Sequence, residues 1–161
     1  MGIFNFGKKH RDIVTNFKTV SVDNIYLISI PDDWYPYESD RFRTSTKDQK
    51  INFSATNYSK EVAQSDEYSN EYLESQFLPL FEKFVNEGGY VSNNDLEIRD
   101  NFIYQSFIVD DESQYYYYTS RLINNNLRVI IAFILRQEGS YKKEYADIIK
   151  KIGGSITHRI A

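Results

Sequence analysis

The sequence predicts an α+β fold in which a mostly antiparallel sheet is covered on both of its faces. Residues 127–136 form a predicted strand that is apolar on both faces, as is typical of the centre of such a sheet. One face has Val129, Ile131, Phe133 and Leu135, and the other has Ile130, Ala132 and Ile134. Two stretches with apolar residues at helical spacing, 72–85 and 141–152, are the predicted covering helices. With 161 residues the chain has the length of one domain, and we expect a loosely held lead-in over residues 1–12 and a single domain over residues 13–161.

Four strands are predicted in the first part of the chain, where apolar and polar side chains alternate. They span residues 18–22, 25–30, 41–46 and 50–58. Asp23-Asn24 is a predicted turn between the first two strands, and residues 47–49 are a predicted hairpin turn between the last two. We therefore expect two short hairpins ahead of the first helix.

The first helix is predicted from one apolar stripe on an otherwise acidic segment. The stripe consists of Tyr72, Leu73, Phe77, Leu80, Phe81, Phe84 and Val85. Ser65 or Ser69 is the predicted N-terminal cap, and Gly88-Gly89 is the predicted stop. Pro79 lies within the pattern, so we expect the helix to kink or restart there.

A meander of four strands and a second helix follow. The strands are predicted over residues 90–98, 102–109, 114–123 and 127–136, with turns at Asp100-Asn101, at residues 110–112 and at residues 124–126. The helix over residues 141–152 has Ser140 as its predicted cap and Gly153-Gly154 as its predicted stop. Residues 155–161 are predicted to add an edge strand.

The order of these elements resembles that of the PsbP-like superfamily. A strand ends in Ile30-Pro31-Asp32-Asp33-Trp34, a hairpin follows, and then comes a helix with Tyr72-Leu73, Phe77-Leu78, Phe81 and Phe84. The similarity extends from about Lys18 to Ile156. The superfamily includes a Ran-binding nuclear import factor, a photosystem II subunit and many bacterial domains of unknown function. The resemblance implies an αβα sandwich around an antiparallel sheet. It also implies a role as an adaptor, assembly factor, chaperone-like protein or part of a toxin-delivery or toxin-immunity system more than as an enzyme.

No motif for catalysis, metal binding or cofactor binding stands out in the sequence. Cysteine is absent, which excludes disulfides, thiol catalysis and thiolate metal sites. His10 and His158 are near opposite ends of the chain, and both glycine pairs follow helices instead of opening them. Loop carboxylates at residues 32–40 and 110–112 lack the spacing of a calcium loop and are interpreted as solvated turns. The sequence neither identifies nor excludes a catalytic pair of carboxylates, because such a pair is defined by the distance between the two groups in the folded protein.

Charge is unevenly distributed along the chain. The net charge is −4, with +2 over residues 1–60, −11 over residues 61–120 and +5 over residues 121–161. This balance argues against nucleic-acid binding, which needs a dominant basic face. The acidic middle third is suited to a basic partner, or it is the solvated face of a helix. No apolar run is long enough for a membrane span and the N-terminus lacks the pattern of a secretory signal, so we expect a cytoplasmic protein with no membrane partner.

Aromatic residues are abundant, with 14 tyrosines in the chain. The notable groups are Tyr115, Tyr116, Tyr117 and Tyr118 in a predicted strand, and Trp34, Tyr35 and Tyr37 in a predicted loop. Alternate rings of the strand face opposite sides of the sheet. Tyrosine is common in recognition surfaces because it combines a large contact area with a polar group. Alternatively, one tyrosine pair packs beneath a helix and the loop aromatics close one end of the sandwich.

These features lead to the hypothesis of a non-enzymatic interaction protein, an adaptor or a toxin-immunity protein of a bacterial cytoplasm. We expect a basic protein partner to dock on an acidic and tyrosine-rich surface. The candidate residues are Tyr115, Tyr116, Tyr117, Tyr118, Trp34, Tyr35, Tyr37, Glu71, Glu74, Asp110, Asp111 and Glu112. The alternative is a small-molecule binding domain or weak hydrolase with an aromatic-lined pocket. Self-association through an edge strand is a third hypothesis.

Overall fold

The computed structural model describes residues 15–60, 70–124 and 127–158, and it has the predicted α+β fold. The predicted lead-in over residues 1–12 and the candidate caps Ser65 and Ser69 lie outside the described residues. The strands are β1 Phe17–Val22, β2 Tyr26–Pro31, β3 Tyr35–Tyr37, β4 Phe42–Ser45, β5 Ile51–Lys60, β6 Val91–Ser92, β7 Glu97–Arg99, β8 Phe102–Val109, β9 Glu112–Asn124, β10 Leu127–Glu138 and β11 Thr157–His158. The helices are α1 Asn70–Glu87 and α2 Lys143–Gly154.

The strands form one large and one small antiparallel sheet. The large sheet has the order β3-β4-β5-β10-β9-β8-β6, and β7 also pairs with β8. The small sheet has the order β1-β2-β11. Strand β10 lies between β5 and β9 in the middle of the large sheet, which confirms the central position predicted from its two apolar faces. Strand β11 confirms the edge strand predicted for the C-terminal tail.

The large sheet is the middle layer of an αβα sandwich and has a separate apolar core on each face. Helix α1 covers the face of β7, β8 and β9, whereas α2 packs on the other face together with β2 of the small sheet. The core beneath α1 consists of Leu73, Phe81, Ile103, Phe107, Tyr116, Tyr118, Ile130 and Ala132. The core beneath α2 and the small sheet includes Tyr26, Ile28, Phe53, Tyr117, Val129, Ile131, Phe133, Ile149 and Ile152.

Helix α1 begins and ends largely as its apolar stripe predicts. It continues through Pro79, so the predicted restart at this residue is wrong. The backbone nitrogen of Gly88 donates to the Phe84 carbonyl at 3.0 Å and Gly89 has a φ of +73°, which confirms the glycine stop. Val85 was predicted in the buried stripe but is 45% exposed.

The second helix differs from its prediction at both ends. Lys142 is its N-cap without a side-chain hydrogen bond, and Ser140 lies outside the helix. Gly153 and Gly154 form its last turn instead of following it. Gly153 is buried against the ring of Tyr117, where a larger side chain would overlap the ring. The close approach of α2 to the sheet explains why a glycine occupies this position.

Two acidic turns close the hairpins on either side of β8. Asp100 and Asn101 both have positive φ between the paired residues Arg99 and Phe102, which is a type I′ turn. The pair Asp110-Asp111 adopts the same conformation ahead of Glu112. Asp and Asn tolerate this backbone region better than other residues with a side chain. These two predicted turns are therefore confirmed, and their carboxylates have a structural reason to be present. The predicted turn at residues 124–126 lies in part outside the described residues.

Candidate functional site

The four consecutive tyrosines of β9 are core residues and not a surface. Tyr115, Tyr116, Tyr117 and Tyr118 are each between 0% and 5% exposed. Their rings alternate between the two faces as predicted, but both pairs lie beneath helices. The ring of Phe77 on α1, for example, stacks on Tyr118 with 3.9 Å between centroids. The prediction that these rings present a docking surface is therefore wrong, and the alternative of packing beneath a helix holds for both pairs.

The predicted loop aromatics divide into one buried ring and two exposed ones. Trp34 is 2% exposed and packs on Phe53, with 5.6 Å between the ring centroids. Tyr35 and Tyr37 belong to the short edge strand β3, which the sequence pattern missed, and they are 55% and 43% exposed. Pro36 between them donates no backbone hydrogen bond, which suits an edge strand. Of the predicted aromatic candidates, only Tyr35 and Tyr37 remain available at the surface.

The predicted acidic residues do not form one surface with each other. Glu71 and Glu74 are exposed at the start of α1, and this end lies beside the β7–β8 turn because Asn70 Oδ1 accepts the backbone nitrogen of Asn101 at 2.7 Å. Asp110, Asp111 and the half-buried Glu112 lie at the other end of β8. Strand β8 has eight residues, which separates the two groups by about 24 Å. Their individual roles in partner binding stay predictions.

Half of the large sheet extends beyond α1 on the side that this helix covers. The described part of α1 packs over β7, β8 and β9. Tyr58 of β5 marks the boundary, because its ring lies 6.4 Å from Phe77 of α1 and is 52% exposed. Beyond this boundary, Tyr35 and Tyr37 of β3 and Arg41 ahead of β4 are exposed on the same face, and Arg43 of β4 is half-buried.

Strand register arranges the side chains of this region in rows across four strands. One row is Tyr35, Ser45, Asn52 and Arg136, and the next is Tyr37, Arg43, Ser54 and Ile134. Arg41 extends the face beside the second row, because its Nη1 donates to Thr56 Oγ1 at 3.2 Å. We call the set Tyr35, Tyr37, Arg41, Arg43, Ser45, Asn52, Ser54, Thr56 and Arg136 the open sheet face. Polar side chains alternate here with the core residues of the opposite face. Ser45 and Ser54 are buried within the set, and the tyrosines, Arg41 and Arg136 are its exposed members.

Three arginines dominate the electrostatics of the open sheet face. No carboxylate stands in the two rows set by the register, and Asp40 lies at their edge between β3 and β4. Its carboxylate pairs with Arg41 at 3.0 Å and with Arg43 at 3.5 Å. A hydrogen bond from Ser39, followed by one from Arg41, lowers the pKa of Asp40 to about 2. This carboxylate therefore holds two guanidinium groups in place, and the three arginines of the face outnumber it. Glu138, two residues after Arg136 on the same side of β10, borders the face at its other end.

Two shallow hollows flank the β4–β5 turn. The first, of about 440 Å³, lies on the open sheet face and is lined in part by Tyr35, Tyr37, Asn52 and Lys47. The second, of about 550 Å³, lies on the other side of the turn. Its lining includes Asp33, Asp48, Glu138, Lys47, Lys50, Lys142 and Tyr145. The turn itself is held by Asp48, which accepts hydrogen bonds from Thr46 Oγ1 at 2.7 Å and from the backbone nitrogen of Lys50 at 3.0 Å.

In the described residues, each shifted pKa lies further from neutral pH than the ordinary pKa of that group. Burial raises the pKa of Tyr115 and Tyr117 to about 12 and that of Tyr116 and Tyr118 higher still. Hydrogen bonds from Thr46 and from the Lys50 backbone lower the pKa of Asp48. None of these shifted groups has the pKa near neutrality that suits a general acid or base. Within residues 15–60, 70–124 and 127–158, no three His, Cys, Asp or Glu side chains cluster in a way that could hold a metal ion.

Sequence reasoning missed Arg41, Arg43 and Arg136 as site residues. The two arginines of the 41–43 segment alternate with Phe42, which is the pattern of a strand with one solvated side. That pattern could have indicated a cationic sheet face. Their position on the same sheet face as Arg136 depends on the pairing of β5 with β10, across some eighty residues of chain, and no local pattern reports it.

Comparisons with known proteins give a likeness of fold. No protein-family model and no curated protein matches the chain. Among solved structures, LpqN, which is involved in cell envelope biogenesis of Mycobacterium tuberculosis, matches with a TM-score of 0.51 and 12% identity over 96% of this chain and 97% of that chain. A protein from Bacteroides thetaiotaomicron VPI-5482 matches with a TM-score of 0.49 and 13% identity over 91% of this chain, which spans 50% of that chain. At 12% identity, the likeness to LpqN shows a shared fold and nothing more specific. None of the helices in the described ranges has both the length and the apolar character needed to cross a bilayer.

Proposed function

We propose that this chain is a non-enzymatic protein-interaction domain whose open sheet face binds an acidic surface of a partner protein. The proposal rests on one observation, the combination of two exposed tyrosines with three arginines on the part of the sheet that α1 leaves uncovered. Tyrosine and arginine are the residue types that supply much of the binding energy in protein interfaces. The positive charge of the face favours an acidic partner, in place of the basic partner expected from the acidic middle third of the chain.

We also infer that the chain belongs to the PsbP-like superfamily, and that it acts as an adaptor or a toxin-immunity protein in a bacterial cell. The order of elements and the αβα sandwich support this inference. A cytoplasmic location is part of the proposal, and the likeness to LpqN raises envelope association as its rival. Fractionation of cells that express the tagged protein distinguishes the two locations.

Affinity capture with matched variants tests the docking surface. The wild-type protein, Tyr35→Ala/Tyr37→Ala, Arg43→Glu/Arg136→Glu and the control Lys143→Glu are used as baits in the same lysate. Lys143 is exposed on α2, on the opposite side of the sheet. We expect a single acidic protein to be retained by the wild type and the control and lost from both face variants. A partner that all four baits retain equally would show that the open sheet face is not the docking surface.

The hollow beside Tyr35 and Tyr37 favours a second candidate, a small-molecule binding domain or weak hydrolase. Two aromatic rings and the amide of Asn52 line this space of about 440 Å³, a size within the range of ligand pockets. A thermal-shift screen against sugars, nucleotides and metal salts tests it. A ligand present at about one hundred times its dissociation constant stabilises the fold by about 2.7 kcal/mol, and no shift with any probe would contradict this candidate.

A further inference from the structure

We infer that the acidic surface bound by the open sheet face is helix α1 of a second copy of this chain, in a two-fold symmetric dimer. This inference rests on the proposed function, because it names the partner of the same surface. In such a dimer each copy places its α1 over the uncovered strands of the other copy. The same two patches are then used twice, which closes the assembly at two copies.

Helix α1 has the required acidic surface along one side. Its residues Glu71, Glu74, Leu78, Glu82 and Val85 follow one another at intervals of three or four, so they share one side of the helix. We call them the acidic stripe. The three glutamates and Val85 are exposed, and Leu78 is half-buried. The basic residue of this helix, Lys83, follows Glu82 directly and therefore points about 100° away from it.

The position of α1 on the sheet supports reciprocal docking. Phe77 of α1 lies beside Tyr58 of β5, so the helix and the open sheet face are neighbours on one side of the molecule. Within residues 15–60, 70–124 and 127–158, α1 packs over β7, β8 and β9, and no helix packs over β3 or β4 on this side. The uncovered region consists of β3, β4, most of β5 and the Arg136 end of β10, and it is about 10–14 Å wide at the usual strand spacing. A helix with its side chains is about 10–12 Å across. One helix from a second copy therefore fills this width.

Charge and apolar area on the two patches are complementary. The acidic stripe has three carboxylates and the open sheet face has three guanidinium groups, two of which Asp40 orients. Val85 on the stripe and Tyr35 and Tyr37 on the face are large apolar side chains that are 43–55% exposed in the single copy. Burying them supplies the hydrophobic part of the interface, and the opposite charges set its orientation. The overall net charge of −4 opposes association weakly, since the two patches are local and close-range.

Two charge-reversal variants and their mixture test the dimer. The face variant is Arg43→Glu/Arg136→Glu, and the stripe variant is Glu74→Arg/Glu82→Arg. Glu87→Arg is the control, because it reverses one glutamate on the same helix, with half the charge change of the stripe variant, on the side of the helix opposite the stripe. Analytical ultracentrifugation measures the dimer dissociation constant of each protein, and far-UV circular dichroism with thermal melting confirms that each variant is folded.

We expect a wild-type dimer that weakens as salt is raised, an unchanged control, and a dissociation constant raised by about tenfold or more in each reversed variant. An equimolar mixture of the two reversed variants must regain the dimer, because each face then meets a stripe of opposite charge. A dimer that neither variant weakens overturns the assigned interface.

A monomeric wild-type protein overturns the inference but not the proposed function. In that case the affinity capture tests the proposed function. Loss of an acidic partner from the face variant would support it, and retention of the partner by the face variant would contradict both the proposed function and the dimer. A confirmed dimer has a functional consequence, since it covers the open sheet face and competes with any other acidic partner.

Discussion

Gly153 lies against the ring of Tyr117, where α2 comes close to β9. A Cβ atom at this position would overlap Cε1 and Cζ of the tyrosine ring. We predict that Gly153→Ala lowers the free energy of unfolding by about 1–3 kcal/mol, the usual cost of overpacking a core. Urea denaturation measures the loss.

The neighbouring Gly154 provides the control for this prediction. A Cβ atom there meets no other atom within 4 Å. Gly154→Ala should therefore stabilise the last turn of α2 by about 0.5–1 kcal/mol, as alanine does in place of glycine in a helix. Equal effects of the two substitutions would contradict the close approach of α2 to the sheet.

Tyr115 ties the large sheet to the segment ahead of α2. Its hydroxyl group donates to Gln137 Oε1 at 2.6 Å and accepts the backbone nitrogen of Lys142 at 3.0 Å. We predict that Tyr115→Phe costs about 1–3 kcal/mol in unfolding free energy, because it leaves these buried groups without a partner. Thermal and urea denaturation measure the effect.

Tyr104→Phe is the matched control for the loss of a phenol hydroxyl. The Tyr104 hydroxyl is buried near Ser106, and no side chain or backbone group of the described residues forms a hydrogen bond with it. Its removal should be neutral or stabilising. If Tyr104→Phe destabilises the protein as much as Tyr115→Phe, the network around Gln137 is not the cause.

At the scale of elements, the β8–β9 hairpin tests whether its acidic turn is structural. Asp110 and Asp111 both have positive φ, at 49° and 63°. We predict that Asp110→Asn/Asp111→Gly raises the free energy of unfolding by about 0.5–1 kcal/mol, because Asn-Gly is better suited to a type I′ turn. Chemical denaturation checks this gain.

The same variant separates structure from binding at this turn. The Asp111 carbonyl accepts the backbone nitrogen of Gly139 at 3.0 Å, so the turn lies beside the end of β10 that carries Arg136. No side chain of the turn belongs to the open sheet face, so capture of an acidic partner should not be lost on substitution. Loss of the partner would restore the turn carboxylates as docking residues, as the sequence first indicated.

Edge strand β3 and helix α1 show how elements position the candidate site. β3 has only three residues, but it places Tyr35 and Tyr37 on one face of the sheet, in the rows of Ser45 and Arg43. Helix α1 leaves these rows open because it packs over β8 and β9 instead. The site therefore depends both on the strands that carry its side chains and on the position of α1, which leaves these side chains uncovered.

For the whole molecule, buried tyrosines set the response to alkaline pH. Burial raises the pKa of Tyr115 and Tyr117 to about 12 in the folded chain, above the value of about 10 in an unfolded chain. The unfolded chain therefore loses these protons first, and their contribution to stability is complete below about pH 10 and is lost as the pH rises towards 12.

We predict that the free energy of unfolding falls steadily across this alkaline range. Urea denaturation at several pH values measures it, and the ultraviolet absorbance of tyrosinate reports ionisation in the same samples. Tyrosinate absorbance that develops fully while the protein stays folded would show that the rings are not buried as described.

Much of the fold was accessible from local patterns in the sequence. The doubly apolar segment around Ile131 predicted the central strand, and the stripe containing Phe77 and Phe81 predicted α1. The pairs Asp100-Asn101 and Asp110-Asp111 predicted tight turns. These features depend on residues close together in the chain, where side-chain periodicity and backbone preference act directly.

Burial of the tyrosines and the composition of the open sheet face were decided by tertiary structure alone. A strand of alternating tyrosines has the same pattern whether a helix or water covers each face, so only the packing of α1 and α2 assigns Tyr116 and Tyr117 to the core. Likewise, Arg43 and Arg136 share one sheet face only through the pairing of β4, β5 and β10. The pairing of strands distant in the chain depends on the free energy of the whole fold, and so does the placement of a helix over one part of a sheet. A local sequence pattern therefore does not report them.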